Sequence, residues 1–160
     1  MNKKGFIQDF LFFGIMMLIF AIMTVTGVML MGEINDHLQD SDLSPGAKAI
    51  SDEQITRFPK IFDNIFVMVF FVLVLGIIAG YYIIQTHPAL LFPIAIIFGF
   101  ILIIIAIQGN VFESFASSDS MAPTMAKMPG MGFIMNNVLE IVVVLGFLGI
   151  VALFAKSGFT

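Results

Sequence analysis

Polar and charged residues divide this chain into four long apolar runs. The first run covers residues 10–31, two more share residues 66–107 on either side of a short polar interruption, and the fourth covers residues 133–155. A helix rises about 1.5 Å per residue, so about 20 apolar residues cross roughly 30 Å of hydrocarbon. Each run is long enough for one crossing. The pattern predicts transmembrane helices at about residues 6–32, 62–85, 88–108 and 133–156.

Two polar segments separate these predicted helices. Residues 33–61 carry most of the charges, and residues 109–132 are rich in Ser, Pro and Met. Four crossings would place both loops on one side of the membrane and both termini on the other. The predicted fold is therefore all-α: a polytopic integral membrane protein, 1–160 forming a single membrane domain, with four transmembrane helices and two extramembrane loops on one side.

The first loop contains signals for short helical pieces. Residues 33–39 can continue the first helix beyond the bilayer. Ser51 has the character of an N-cap, with Gln54 at the capping-box position, which predicts a short interfacial helix over residues 52–57 that ends before Pro59. The preceding Ser-Pro-Gly stretch at 44–46 predicts a turn.

Composition supports a membrane location and excludes several chemistries. Apolar residues make up 59% of the chain and charged residues only 11%, against roughly a quarter charged in soluble proteins. The absence of cysteine excludes disulfides and thiolate metal sites. A net charge of −4 with scattered basic residues argues against a nucleic-acid partner. We expect no cofactor, no metal and no small-molecule substrate.

Two residue groups suggest metal binding but have simpler interpretations. His37 stands among solvated acids in the first loop, which favours an ordinary surface position. The second loop carries several methionines, which favour docking on an apolar or interfacial surface over copper binding. These methionines are Met121, Met125, Met128 and Met131.

The polar residues nearest the predicted helix starts are the candidate site. Asn136, Asn137 and Glu140 stand at helical spacing, so they are predicted to share one face where the fourth helix enters the membrane. Asp63 and Asn64 open the second predicted helix on the same side. An intramembrane carboxylate marks function by default, whereas a carboxylate near the helix entry serves to fix helices in register. Both interpretations of Glu140 stay open here.

Two further features concern packing and orientation. Gly76 and Gly80 have the GxxxG spacing that lets membrane helices approach closely, so their face is predicted to meet protein. Lys3 and Lys4 directly precede the first helix, which favours termini on the cytoplasmic side.

Four short motifs at the ends of the predicted helices point to a family. They are Phe62 to Asn64, Thr86-His87-Pro88, Asn110-Val111-Phe112-Glu113 and Phe133-Ile134-Met135-Asn136. Together they resemble small four-span membrane proteins of tailless icosahedral bacterial viruses with an internal lipid membrane. The resemblance covers residues 62–156. It implies a virion membrane component beneath a protein shell, with loops that meet the capsid, and it implies no catalytic residues.

These observations lead to one functional hypothesis and two alternatives. The first is a non-enzymatic structural or assembly protein of a virion internal membrane or host inner membrane, with the bilayer, other copies and other membrane or capsid proteins as partners. An alternative is a small ion or proton channel or transport subunit that uses Glu140 with Asn136, Asn137 and Asp63. A second alternative is a phage lysis protein that permeabilises membranes. An enzyme is not expected, because no nucleophile, base and orienting group stand together.

Overall fold

In the computed structural model, residues 5–83 and 91–157 are described, and every regular element within them is an α-helix. The predicted all-α class is confirmed for this part of the chain. The helices are α1 (Gly5–Gln39), α2 (Pro45–Ile83), α3 (Leu91–Ala116), α4 (Ala122–Met125), α5 (Pro129–Asn136) and α6 (Val138–Ser157). The predicted turn at Thr86, His87 and Pro88 lies outside the described residues.

Three of these helices are long and apolar enough to cross a membrane. They are α1, α2 and α3, and a fourth candidate span arises if α5 and α6 count as one helix bent by 61°. Three to four such helices identify an integral membrane protein.

The four long helices form a ring with two opposite sides. α1 packs against α2 and α3, and α6 packs against the same two helices. One side of the bundle is therefore formed by α1 and α2, and the opposite side by α3 and α6. The short helix α5 lies against both α2 and α3, and α4 lies against α1.

The first polar segment is a helical hairpin and not one long loop. The predicted continuation of the first helix over residues 33–39 is confirmed, whereas the predicted helix start at Ser51 is wrong, because Ser51 lies inside a longer helix. α1 continues to Gln39, α2 begins at Pro45 and not near residue 62, and residues 40–44 join them. The Ser44 side chain caps α2, because its hydroxyl oxygen accepts a hydrogen bond from the Ala47 N–H at 3.4 Å. Proline suits the first helical position because its missing N–H would have no helical partner there. The predicted turn at 44–46 is thus the start of a helix.

Pro59 does not end a helix as predicted, since α2 continues through it. An interior proline removes one backbone hydrogen bond and usually costs about 3 kcal/mol or more. Here the ring is buried, and α2 packs along α1 on both sides of Pro59. Packing of the two helices offsets the local cost, which sequence signals for helix ends do not include.

The second predicted loop is also largely helical. α3 extends to Ala116, and α4 and α5 fill most of the remaining segment. Met128 and Met131 are fully buried, and Met121 and Met125 pack against the same cluster. These methionines fill a core and do not form the docking surface predicted for them. Their flexible side chains suit the irregular space between short and long helices.

The interior contains two apolar clusters, an upper one nearer the hairpin between α1 and α2 and a lower one farther from it. The upper cluster joins α1, α2, α5 and the end of α3, and Phe20 stacks on Phe66 within it, with ring centroids 5.8 Å apart. The lower cluster forms between α3 and α6 around Ile101, Ile105 and Val142. The helix break between α5 and α6 lies where these clusters meet.

Candidate functional site

Asp63 is a buried carboxylate that caps a helix far from it in sequence. It is only 7% exposed. Its Oδ2 accepts a hydrogen bond from the Gly130 N–H at 3.0 Å, and its Oδ1 accepts one from the Met131 N–H at 2.6 Å. These donors belong to the first turn of α5, where backbone N–H groups have no helical partner. The carboxylate thereby fastens α5 to α2.

The sequence around Pro129 explains why this cap comes from another helix. Met128 occupies the N-cap position and makes no side-chain cap, while Pro129 has no N–H to donate. The carboxylate also approaches the backbone closely. A Cβ on Gly130 would lie 2.7 Å from Val67 Cγ2 and 3.0 Å from Asp63 Oδ2, so a larger residue there would force the Val67 or Asp63 side chain to shift.

Asn137 marks the break between α5 and α6. Its backbone leaves helical geometry, with φ −112° and ψ 17°. Its side-chain Nδ2 donates a hydrogen bond to the Phe133 carbonyl oxygen at 2.7 Å, and its backbone N–H donates to the same oxygen at 3.2 Å, so both groups of Asn137 bind the end of α5. The continuous fourth helix predicted over residues 133–156 is therefore two helices, bent by 61°.

A small cleft opens beside this break, between α3 and the start of α6. Its volume is about 150 Å³. Four polar side chains line it and are exposed: Asn110, Glu113, Asn136 and Glu140. Two carboxylates and two amides give the cleft a negative charge and several oxygen acceptors, which attract cations in preference to anions. Among the described residues, no group of three or more His, Cys, Asp or Glu side chains is arranged to hold a metal ion.

The cleft lies at the edge of the apolar layer. A Cβ on Gly109 would lie 3.6 Å from Val138 Cγ1, so these two positions are level. The apolar run of α3 ends at Ile107, just before them. Glu140 therefore lies near the boundary of the apolar layer and not in its interior.

The structure brings together only part of the predicted polar cluster. Asn136 and Glu140 line the same cleft, whereas Asn137 turns back onto α5. Asp63 caps α5 and does not line the cleft, and its neighbour Asn64 is exposed. Neither opens a helix as predicted, because both lie in the middle of α2.

The glycine contact between helices differs from the predicted one. A Cβ on Gly76 would meet nothing within 4 Å, and the surroundings of Gly80 lie outside the described residues. Close approach occurs instead at Gly146 in α6, where a Cβ would lie 1.9 Å from Phe98 Cζ in α3. The missing side chain of Gly146 makes room for this ring.

Sequence reasoning missed three features: the cap that Asp63 provides for α5, Glu113 in the cleft and Asn35 in the hairpin. Only the cap left a signal in the sequence. Pro129 and Gly130 can begin a helix, but no Ser, Thr, Asp or Asn precedes them as a cap. An aspartate among apolar residues, such as Asp63, needs hydrogen-bond donors when it is buried, and the uncapped backbone N–H groups at the start of α5 are such donors. The position of Glu113 in the cleft and the hydrogen bonds of Asn35 in the hairpin gave no comparable signal, because both depend on which helices become neighbours.

Comparison with known proteins gives no relationship on which to build. No protein-family model matches this chain, and no curated protein and no solved structure matches it. The function must therefore be argued from the geometry.

Proposed function

We propose that this protein is a non-enzymatic structural or assembly protein of a membrane, which presents a rigid helical hairpin to a partner outside the bilayer. The observation that carries the proposal is the length of α1 and α2. They contain 35 and 39 residues, or about 50 to 60 Å of helix, against roughly 30 Å of hydrocarbon. Their paired ends therefore project well beyond the membrane.

Polar contacts hold the two projecting helix ends together. Asn35, which is buried, donates from Nδ2 to Asp52 Oδ1 at 3.2 Å and accepts from the Ser51 hydroxyl at 3.1 Å. Nearer the tip, Gln39 Nε2 donates to the Lys48 carbonyl oxygen at 3.0 Å, and Lys48 Nζ donates to the Gln39 carbonyl oxygen. Contacts across two helices at two levels fix their relative position. The projection is a defined surface and not a flexible loop.

The charge on this hairpin indicates the kind of partner. Residues 33–60 contain six acidic and three basic residues. Glu33 and Asp36 are exposed on one face of α1, three positions apart, and the exposed Asp40 directly follows the end of the helix, four positions after Asp36. An acidic stripe on a rigid support complements a basic protein surface and steers its approach. A protein partner with a positively charged patch is the best match.

Within this proposal, the partner is the shell of a virion and the bilayer is its internal membrane. The support is the resemblance of residues 62–156 to small four-span virion membrane proteins. The apolar helices then fill the bilayer, and the acidic hairpin meets the inner face of the capsid.

Co-purification tests this proposal. We expect the protein, extracted from its native membrane with a mild detergent, to hold a shell protein in fixed stoichiometry. Glu33→Gln, Asp36→Asn and Asp40→Asn combined should weaken that association at least tenfold. The matched control is Glu113→Gln with Glu140→Gln, which removes two acids from the cleft and leaves the hairpin intact. Equal retention of the partner by both variants, or no partner at all, would overturn the proposal.

Transport is the second candidate, because two carboxylates face one cleft at the membrane boundary. In this case Glu140 and Glu113 would gather cations at the entrance of a path. Purified protein in liposomes with an imposed proton or potassium gradient tests it. The structural proposal requires no flux above that of empty liposomes. A flux abolished by Glu140→Gln but kept in Glu33→Gln would establish transport instead.

A further inference from the structure

We propose that the bilayer meets the helix bundle obliquely, so that lipid acyl chains cover the α1–α2 side at a level where the α3–α6 side faces water. The proposal concerns how the membrane contacts the molecule and does not depend on the function proposed above. It rests on where the apolar runs of neighbouring helices end relative to one another.

Helix contacts fix the relative level of α1 and α3. A Cβ on Gly14 in α1 would lie 3.0 Å from Gln108 Oε1 and 3.8 Å from Ile105 Cγ1 in α3. Gly14 is therefore level with the end of the apolar run of α3, which stops at Ile107. The two helices run in the same direction, since each ends toward the hairpin. On α1 the apolar run continues to Met31, about 25 Å farther along the helix.

The side chains above this level differ between the two sides of the bundle. On α1, Ile19 is 46% exposed and Met23 is 68% exposed. On α2, which is level with α1 through the Phe20–Phe66 stack, Ile65 is exposed as well, next to the exposed polar Asn64. Beyond Gln108, by contrast, the exposed side chains of α3 are mostly polar. They are Asn110, Glu113 and Ser114, with Val111 as the exposed apolar residue among them, and the exposed Ser117 directly follows the helix. If the membrane boundary were perpendicular to the bundle axis, either the apolar side chains of α1 and α2 would face water or the polar side chains of α3 would face lipid.

Lipid is the occupant that fits the α1–α2 side. The exposed apolar surface of α1 continues downward without a charged residue through Met16, Ile15 and Phe12, and that of α2 continues through Met68 and Leu75. These lower residues belong to candidate membrane spans. The upper surface is thus continuous with the exposed surface of candidate membrane spans, and burying its apolar area in acyl chains is favourable.

The tilt that covers α1 as far as Met23 is within the normal range for membrane helices, and the last turns of the apolar run, up to Met31, then lie above the hydrocarbon. Met23 lies about 14 Å beyond Gly14 along α1. A ring of four helices spaced 8–10 Å apart is roughly 20 Å across, so this offset corresponds to a tilt of roughly 35°. Transmembrane helices in known structures tilt between about 0 and 40°. An oblique bundle also keeps Glu113 and Glu140 in contact with water.

Single-cysteine labelling tests the proposal, because the natural chain contains no cysteine. Met23→Cys and Ser117→Cys form a level-matched pair, since each lies nine positions beyond one of the contacting residues Gly14 and Gln108. Both positions are exposed, so the substitutions fill no core space. Met16→Cys serves as the lipid-facing control and Asp42→Cys as the water-facing control.

In proteoliposomes with the hairpin outward, we expect a membrane-impermeant maleimide to label Met23→Cys at least tenfold more slowly than Ser117→Cys. A fluorophore on Met23→Cys should also be quenched by brominated acyl chains as strongly as one on Met16→Cys. Equal and fast labelling at both positions would overturn the proposal, because the bilayer would then meet the bundle squarely. Slow labelling without lipid quenching, together with a disulfide between copies at position 23, would overturn it in favour of a second copy on this face.

Discussion

At the scale of single residues, Asp63 is the side chain whose removal has the clearest structural consequence. A buried carboxylate without hydrogen bonds would destabilise the fold. Here the carboxylate receives two backbone N–H groups of α5, which has no local cap of its own. One side chain thus satisfies two donors and fixes the short helix that precedes the break.

We therefore expect Asp63→Ala to lower the free energy of unfolding by about 2–4 kcal/mol, because two buried donors lose their acceptor. Unfolding in mixed detergent and SDS micelles, followed by circular dichroism, measures this change. Asn64→Ala is the matched control, since Asn64 is the exposed neighbour on the same helix, and it should change stability by less than about 0.5 kcal/mol. Similar losses in both variants would show that the cap does not stabilise the fold.

A second residue-scale prediction compares two glycines. Gly146→Ala places a methyl group against the Phe98 ring, which must move, and should cost about 1–3 kcal/mol. Gly76→Ala meets open space, so its stability should stay equal or rise by up to about 1 kcal/mol through helix propensity. The same unfolding measurement applies. Adding Phe98→Leu to Gly146→Ala should restore part of the loss, and a loss that stays unchanged would contradict steric contact as its cause.

At the scale of elements, the sequence predicted the apolar helices far better than the polar ones. Long apolar runs predict α1, the second half of α2, α3 and α6, because hydrocarbon imposes helical structure on any such run. The hairpin was predicted as a loop with short helical pieces at residues 33–39 and 52–57, since Asp, Ser, Gly and Pro are common in loops. Its helices are stable because Asn35, Gln39 and Lys48 bond across the pair. Such contacts depend on which helices become neighbours, and local sequence does not specify this.

The hairpin contacts lead to a prediction about local opening. Asn35→Ala should raise the rate of amide hydrogen exchange in residues 45–58 about 5- to 10-fold, because loss of its hydrogen bonds removes about 1 kcal/mol of local stability. Mass spectrometry of exchanged peptides in detergent measures this rate. Gln54→Ala is the control, because Gln54 is exposed on the same helix, and exchange there should stay as in the natural protein. Unchanged exchange in Asn35→Ala would show that apolar packing alone holds the hairpin.

The break at Asn137 shows a second limit of prediction from sequence. Asn136, Asn137 and Glu140 fit a continuous helical face by spacing alone. The chain instead bends where α5 must reach back to Asp63 and α6 must pack against Phe98. One straight helix cannot satisfy both contacts. The cleft forms beside that bend. Of its polar lining residues, Asn136 and Glu140 were predicted from spacing, whereas Asn110 and Glu113 come from α3 and were not.

At the scale of the whole molecule, the two core clusters, the break and the offset apolar runs describe one asymmetric bundle. The α1–α2 side is apolar over a long distance and ends in an acidic hairpin, while the α3–α6 side is apolar over a shorter distance and ends in a polar cleft. Location in a membrane followed from the sequence. The asymmetry did not, because it arises from the relative levels of helices that only tertiary contacts establish.

This architecture makes a definite prediction about whether α6 crosses the bilayer. With 20 mostly apolar residues, α6 is about 30 Å long, which is enough to span the hydrocarbon. Asp119→Cys, before α4, and Ser157→Cys, at the end of α6, should then react on opposite sides of sealed vesicles. Asp42→Cys at the hairpin tip should react on the same side as Asp119→Cys, because α2 and α3 together cross twice. Labelling with an impermeant maleimide before and after permeabilisation distinguishes the sides. Reaction of positions 119 and 157 on the same side would mean three crossings, with the bend at Asn137 directing α6 along the membrane surface.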